Sequence, residues 1–256
     1  MRILVCIKRV PQAGGKLTLT EDKLAIDTKF LGFTIGPHEE CAVEEAVRLI
    51  EKFGGSATVL TLGHADSVEQ LQFAMSLGVA DAILLDNNGA EWGPISTAGA
   101  IAMVVEEMRS NGDAPDLILF GNEAPDSGDF QVGIRVANAL DLPLVTGVKG
   151  IEVLDGELVA RRESGSTVEL TKVSLPAVLT VKEGLNLPRY PSLPGRLKAK
   201  SKPIKKESPK EKGDPTKMVQ LRLPVEDRTG GVLLGEGPDS VGKIVEVLKE
   251  LGVVAR

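Results

Sequence analysis

Four short apolar runs constrain this chain most. Arg2–Ile7, Thr58–Leu62, Ala82–Leu85 and Leu117–Phe120 are rich in Leu, Ile and Val and lack the alternation of a strand with one wet face. Such runs suit strands buried on both sides, as in a parallel sheet. Helical periods lie between them. Val43, Ala46, Val47 and Ile50 make one apolar stripe, on a helix where Glu44 stands four residues before Arg48. Val68, Leu71 and Met75 make a second. Ala98, Ile101, Ala102, Val105 and Met108 make a third, and Val136, Ala137 and Leu140 a fourth. This alternation predicts βαβ units: an α/β fold whose parallel sheet carries helices on both faces.

Two stretches break the rhythm. Lys16–Asp27 alternates Leu17, Leu19, Leu24 and Ile26 around Glu21-Asp22, which predicts a small hairpin. From Val148 the chain turns to strands. Val148–Leu154, an Asp155-Gly156 turn and Glu157–Arg162 predict a hairpin, extended through Ser164-Gly165-Ser166 into Thr167–Thr171 as a meander. Pro176–Val181 reads as another buried strand. Beyond Val181, Pro188, Pro191, Pro194, Pro203, Pro209 and Pro215 punctuate a basic stretch with little core of its own. Asp239 or Ser240 then caps a short helix with Val241, Ile244, Val245 and Leu248 on one face. The expected division is an α/β domain over residues 1–181 and an arm over 182–256, packing on its own body or on a second chain.

Composition excludes several classes. The chain has 256 residues, 42% hydrophobic and 26% charged, which is globular and unlike collagen, a disordered tail or a disulfide scaffold. No apolar run reaches the roughly 20 residues of a membrane helix, so no membrane insertion is expected. Met1–Lys8 reads as a strand rather than a secretory leader, which predicts a cytoplasmic protein. Cys6, Cys41, His38 and His64 are too few for a zinc site of His and Cys, and the cysteines read as small buried hydrophobes. At 3% aromatics, base-stacking nucleic-acid modules are disfavoured. The net charge of −6 hides an uneven distribution, because Arg196–Lys212 carries eight basic residues against Glu207 and Glu211. A solvated linker and a docking surface for an acidic partner both account for that run.

In an open parallel sheet, ligands bind beyond the carboxyl ends of the strands. Four segments fall there: the residues after Ile7, Gly36-Pro37-His38-Glu39, Leu62-Gly63-His64, and Gly121 to Gly133. The last follows a strand and opens a helix. Gly121 and Gly128 allow close backbone approach, Ser127 offers a hydroxyl, and the helix N-terminus offers free N–H donors to a phosphate. An ordinary strand-to-helix loop capped by Asp126 or Asp129 explains the same residues. The acids Glu123, Asp126 and Asp129 oppose a phosphate unless they turn away or cap amides. Pro37 with Glu39 and Glu40 is a standard helix start. No nucleophile, base and acid come together in a motif, so the chain reads as a binder, with no catalytic residues.

Several stretches together resemble the β subunit of electron transfer flavoproteins, nearly end to end. They are Ile3–Pro11, Gly36–Ala46 with Arg48-Leu49, Ala124–Asp126 with Gln131-Val132-Gly133, and Leu175–Val178. Most specific is Leu187-Pro188-Arg189-Tyr190-Pro191-Ser192-Leu193-Pro194, followed by Lys198-Ala199-Lys200. The resemblance implies a Rossmann-like body of the adenine nucleotide alpha hydrolase type, a C-terminal arm, and a heterodimer with an α subunit carrying the redox-active FAD. It implies AMP in the β subunit, or a second FAD in flavin-bifurcating relatives. The implied nucleotide contacts are Cys6, Gly36, Pro37, His38, Glu39 and Leu62. In the loop they are Gly121, Asn122, Glu123, Ala124, Asp126, Ser127, Gly128, Asp129, Phe130, Gln131 and Val132. Leu193 matches the leucine that the family inserts into partner dehydrogenases, flanked by Lys198 and Lys200, and the segment around it is expected to be a stiff loop. The sequence departs from the family where many members have Asn-Pro-Phe in place of Gly36-Pro37-His38. It also has Phe130 and Val132 where a member has Asn or Thr near the phosphate.

The resemblance implies electron transfer from flavoprotein dehydrogenases, such as those of fatty acid β-oxidation acting on acyl-CoA, to a quinone oxidoreductase. A bifurcating β subunit, whose own FAD oxidises NADH, is the second reading. An ATP-utilising or stress protein of the same nucleotide-binding superfamily is a third. It gives no reason for the Leu187–Lys200 stretch.

Overall fold

Residues along the central strands alternate between two apolar cores. In the computed structural model, which describes residues 1–12, 14, 17–154, 156–224 and 231–254, Ile3, Val5 and Ile7 face one core with Val43, Ala46, Leu71 and Ala74. Leu4 and Cys6 face the other, with Ala98, Ile101, Val105 and Val136. A strand buried on both sides has no use for polar alternation, which is why these runs are continuously apolar.

The strands are β1 (Arg2–Cys6), β2 (Val10–Pro11), β3 (Phe33–Thr34), β4 (Ser56–Gly63), β5 (Asp81–Asp86), β6 (Leu117–Gly121), β7 (Leu144–Leu154), β8 (Glu157–Ser164), β9 (Thr167–Ser174), β10 (Ala177–Val181) and β11 (Lys205–Glu207). The helices are α1 (Pro37–Phe53), α2 (Val68–Leu77), α3 (Pro94–Ser110), α4 (Val132–Ala139), α5 (Leu193–Ser201) and α6 (Val241–Glu250). Nine strands form one sheet in the order β11-β5-β4-β1-β6-β10-β7-β8-β9. Pairing is parallel from β11 to β7, and β8 and β9 add antiparallel as the expected meander. This is a Rossmann-like α/β fold. α1 and α2 cover one face, and α3 and α4 the other. Leu19 bridges Ile26, as the alternation there predicts. Lys16 of that hairpin and Asp155 of the β7–β8 turn lie outside the described residues.

The chain divides into two compact units, Met1–Val219 and Gln220–Arg256. The segment after Val181 contributes more to the first unit than its composition predicts. Ala199 of α5 is buried, and Leu185 and Ile204 pack against the α1–α2 core. Lys202 Nζ donates to the Val79 and Ala80 carbonyls, both at 3.1 Å. β11 pairs with β5. These are single anchors with no periodic stripe, so hydrophobic periodicity does not register them. In the second unit, α6 leaves Val241, Ile244 and Val245 exposed.

Asp214 supplies one such anchor. Its Oδ2 accepts from the backbone N–H groups of Ile95, at 3.0 Å, and Ser96, at 3.2 Å, at the start of α3. Gly93 makes this possible, since a Cβ there would lie 2.3 Å from that oxygen. Asp214→Ala removes a cap, and such losses typically cost about 1 kcal/mol. The unfolding free energy in urea is expected to fall by that amount, seen by circular dichroism as a lower midpoint with an unchanged slope.

Candidate functional site

The strand order reverses beside β1. The chain runs from β1 to β4 and β5 on one side, then crosses to β6 on the other, so a crevice opens between the carboxyl ends of β1 and β6. Three elements meet there: the residues after β1, the first turn of α1, and the loop from β6 to α4.

Glu39 lies at the centre. It is 4% exposed although it carries a carboxyl group. Two glycines make room for it. A Cβ on Gly36 would lie 2.3 Å from Glu39 Oε2, and one on Gly121 would lie 2.9 Å from Glu39 Cδ. Gly36 has an extended backbone, φ −73°, so its requirement is space and not a left-handed turn. Glu39 Oε2 has no hydrogen-bond partner among the described residues. Burial pushes this carboxyl up to about 7, with Lys8 opposing the shift and Asp126 adding to it. Beside the carboxyl, Lys8 Nζ and Asp126 Oδ2 pair at 2.6 Å and join the end of β1 to the β6–α4 loop.

The other expected contacts divide into groups. Cys6 ends β1 within the α3–α4 core, and burial raises its thiol far above the ordinary value, so it is an apolar filler here. Leu62 packs against that same core. His38 Nδ1 is buried without a partner among the described residues, and desolvation lowers the imidazole's pKa. Gly121 accommodates the Glu39 side chain, where the sequence suggested a ligand. Gly128 has φ +64°, a left-handed turn that favours glycine, with open space around a built Cβ. Its N–H donates to the Ala124 carbonyl at 2.7 Å.

Two of the loop's three acids are engaged. Asp126 pairs with Lys8, and Asp129 Oδ1 accepts from the Gln131 N–H at 3.1 Å. Neither is left to oppose an anion at full strength, and Glu123 has no ion pair among the described residues. Asn122 is buried, and its Oδ1 accepts from the Gly147 N–H at 2.9 Å and the Thr180 hydroxyl at 2.8 Å. It ties β6 to β7 and β10. Ser127 and Gln131 are exposed, Phe130 is half exposed, and Val132 begins α4, whose N-terminus has no side-chain cap.

Sequence reasoning missed three features. Lys8 closes the crevice, and only its place after a strand end could have signalled it. Ser67 Oγ is buried without a partner among the described residues, close to Gly63 at the end of β4. Beside Asn122 and Phe130, a cleft of about 280 Å³ is lined also by Ile134, Thr146, Gly147, Lys149, Arg162, Glu163 and Lys182. Lys149 pairs with Glu163 and Arg162 with Glu169, whereas Lys182 has no ion pair among the described residues. The meander builds this cleft across long sequence separations, which no local pattern reveals.

The segment carrying Leu193 is a helix, not the expected stiff loop. Ser192 Oγ accepts from the Gly195 N–H at 3.1 Å and starts α5, with Pro194 in its first turn. α5 sits on the end of α2, where a Cβ on Gly195 would lie 2.7 Å from the Ser76 carbonyl oxygen. Leu193 is 71% exposed, Tyr190 95% and Leu187 91%, and Lys198 and Lys200 are exposed. Arg189 holds the segment to α1. Its guanidinium binds buried Glu44 at 2.9 Å and Glu51 at 2.7 Å. Asn186 Nδ2 donates to Glu45 Oε2 at 2.9 Å and to the Cys41 carbonyl at 3.0 Å.

A Rossmann-like sheet with a crevice at its switch point defines the broad class. The comparisons define the family. Residues 24–212 match the electron transfer flavoprotein domain. The electron transfer flavoprotein subunit beta of Bacillus subtilis is 32% identical, covering 97% of this chain and 98% of the relative. That of Thermoanaerobacterium thermosaccharolyticum is 31% identical, over 99% and 100%. The human subunit is 32% identical, over 96% and 98%. This chain belongs to the electron transfer flavoprotein β subunit family.

Glu39 makes the fold pH-sensitive. Burial raises its folded pKa from 4.5 to about 7, so the folded chain keeps a proton that the unfolded chain releases across that window. Stability is therefore full below the lower value and falls as pH rises to the upper one. Glu39→Gln removes this pH dependence. Thermal unfolding is expected to show similar stabilities near pH 4.5, and at pH 8 a variant more stable by on the order of 3 kcal/mol. Superimposable pH profiles would show that the carboxyl is not buried in solution.

Proposed function

We propose that this chain is the β partner of a heterodimeric electron transfer flavoprotein. In this reading the α subunit holds the FAD, which supplies the redox chemistry when bound. The β chain breaks no bonds. It holds a nucleotide, AMP, in the β1–β6 crevice. It also docks flavoprotein dehydrogenases, such as those acting on acyl-CoA, from which electrons pass on to a quinone oxidoreductase. The arm, including the apolar stripe of α6, packs on the α subunit.

The Arg189 clamp carries the docking half of this reading. A large apolar side chain is ordinarily buried, yet Leu187, Tyr190 and Leu193 stand in solvent on a segment fixed by ionic hydrogen bonds to α1. Rigid apolar anchors with basic neighbours suit a partner having an apolar pocket and an acidic rim. For the nucleotide half, the residues present fit. The uncapped α4 N-terminus offers N–H donors to a phosphate, and the orphaned Glu39 and Ser67 oxygens offer hydrogen-bonding sites to the rest of the ligand.

One observation favours the bifurcating alternative, in which the β chain holds its own FAD and NADH is oxidised. The cleft with Lys149, Arg162 and Lys182 adjoins the same loop and gives a longer ligand somewhere to extend. Mass spectrometry and quantitation of the small molecules released from denatured heterodimer separate the two: one FAD with one AMP per heterodimer supports the first, two FAD without AMP the second.

Leu193→Ala tests docking in the assembled heterodimer. Truncating an anchor costs on the order of 2 kcal/mol, or ~30-fold in affinity. Electron transfer from the dehydrogenase is expected to slow at limiting concentration, with unchanged flavin content and melting temperature. A loss of flavin or of the fold would make Leu193 structural and overturn the docking role.

A further inference from the structure

The cap on α3 comes from far along the chain. The first amides of a helix are ordinarily satisfied by a Ser, Thr, Asp or Asn at the N-cap itself. Here that position is Gly93, with the extended backbone of an N-cap, φ −71° and ψ 171°. Asp214 takes the role instead, accepting from the Ile95 and Ser96 N–H groups across 119 and 118 positions of sequence. Gly93 leaves room for it, since a built Cβ would lie 2.3 Å from Asp214 Oδ2 and 2.5 Å from its Cγ. A serine at position 93 would cap α3 without ordering any distant segment, so the stability of α3 does not explain the arrangement. A distant cap must also order the chain that carries it, at a cost in entropy. What it gains is a fixed position for that chain.

The carrying segment has little else to hold it. From Ser208 to Val219 only Pro209 and Asp214 are half-buried, and the other residues are exposed. Among the described residues, Asp214 is the only one in this stretch hydrogen-bonded to the rest of the first unit. The previous attachment, β11, ends at Glu207, and the second unit begins at Gln220. With Asp214 bound, six positions separate the last fixed point from the second unit, and with it released thirteen do.

We propose that Asp214 is a positioning residue for the partner chain. It pins the strap 208–219 to α3 and so shortens the tether on which residues 220–256 reach an α subunit. This rests on the heterodimer reading, with the body and the arm both in contact with one α subunit. The effective concentration at the end of a flexible tether falls roughly as the −3/2 power of its length. Lengthening from six positions to thirteen lowers it about threefold. The carboxylate at the positive end of the α3 dipole favours the pinned state. Asp214 thus acts on the joint engagement of body and arm without touching the partner.

The test compares wild type, Asp214→Ala, and a double variant carrying Gly93→Ser with Asp214→Ala. The double variant gives α3 a local cap and leaves the strap free. Cys6 and Cys41 are buried, so a nitroxide attached through Lys212→Cys reports on the strap alone. Its electron paramagnetic resonance spectrum is expected to be immobilised where Asp214 is present and mobile in both proteins that lack it. The urea midpoint is expected to fall in Asp214→Ala and to return in the double variant. The dissociation constant for purified α subunit is expected to rise about threefold in both. Full affinity in the double variant would show that Asp214 serves α3 alone, and would overturn the proposal. An unchanged nitroxide spectrum would overturn it too, because something else would then hold the strap. Unchanged affinity with a mobile nitroxide would remove the tether role and leave the heterodimer standing. No binding of wild type to the α subunit would sink the heterodimer reading itself, and this inference with it.

Discussion

The parallel strands must bury both faces, and the rest of the structure follows from that demand. Covering one face with α1 and α2 and the other with α3 and α4 requires the chain to wind first to one side of β1 and then to the other. Right-handed crossovers leave only this doubly wound solution for the helices at hand. The winding reversal creates the crevice, because the loops after β1 and β6 depart to opposite faces. The crevice thus results from satisfying two cores and needs no separate design.

Within that frame, polar groups are placed where the backbone cannot pair itself. Asn122 uses one oxygen to hold the Gly147 N–H and the Thr180 hydroxyl, close to where β7 shifts register against β10. Asp214 satisfies two amides at the start of α3 from 119 and 118 residues away. Glu44 and Glu45 are buried with charged or amide partners at Arg189 and Asn186. Each arrangement completes hydrogen bonds, as buried polar groups require. Among these groups and Glu39, two oxygens are left over within the described residues, Glu39 Oε2 and Asn186 Oδ1.

β1, β4, β5, β6 and β10, α1 to α4, the α6 stripe and the meander were legible in the sequence because each is a local pattern: an apolar run, a 3.6-residue stripe, a turn between alternating segments. β11 was not, since Lys205–Glu207 is short and charged and joins the sheet only because β5 offers an open edge. α5 was hidden by its prolines, although Ser192 before Leu193-Pro194 is a helix start that the residue types permit. For the site, the strand-end position of the Gly121–Gly133 loop was legible, whereas the work of its residues was not. Gly36 and Gly121 look like ligand-approach glycines, yet the side chain that approaches them is Glu39, from α1. A glycine's sequence context shows that something comes close without showing what.

One helix joins the two halves of the proposed function. The first turn of α1 carries His38 and Glu39 into the crevice, while Glu44, Glu45 and Glu51 further along hold Asn186 and Arg189 of the docking segment. At 1.5 Å per residue, Glu39 and Glu51 are about 18 Å apart along the axis. α1 is packed on the sheet over most of that length, with Ala42, Val43 and Ala46 fully buried, so it behaves as a rigid strut. Changes that tilt its first turn act on the clamp as well. For that reason Glu39→Gln, which preserves shape, and Leu193→Ala, which lies beyond the clamp, isolate the two ends, and a bulky change at Gly36 or Gly121 would disturb both at once.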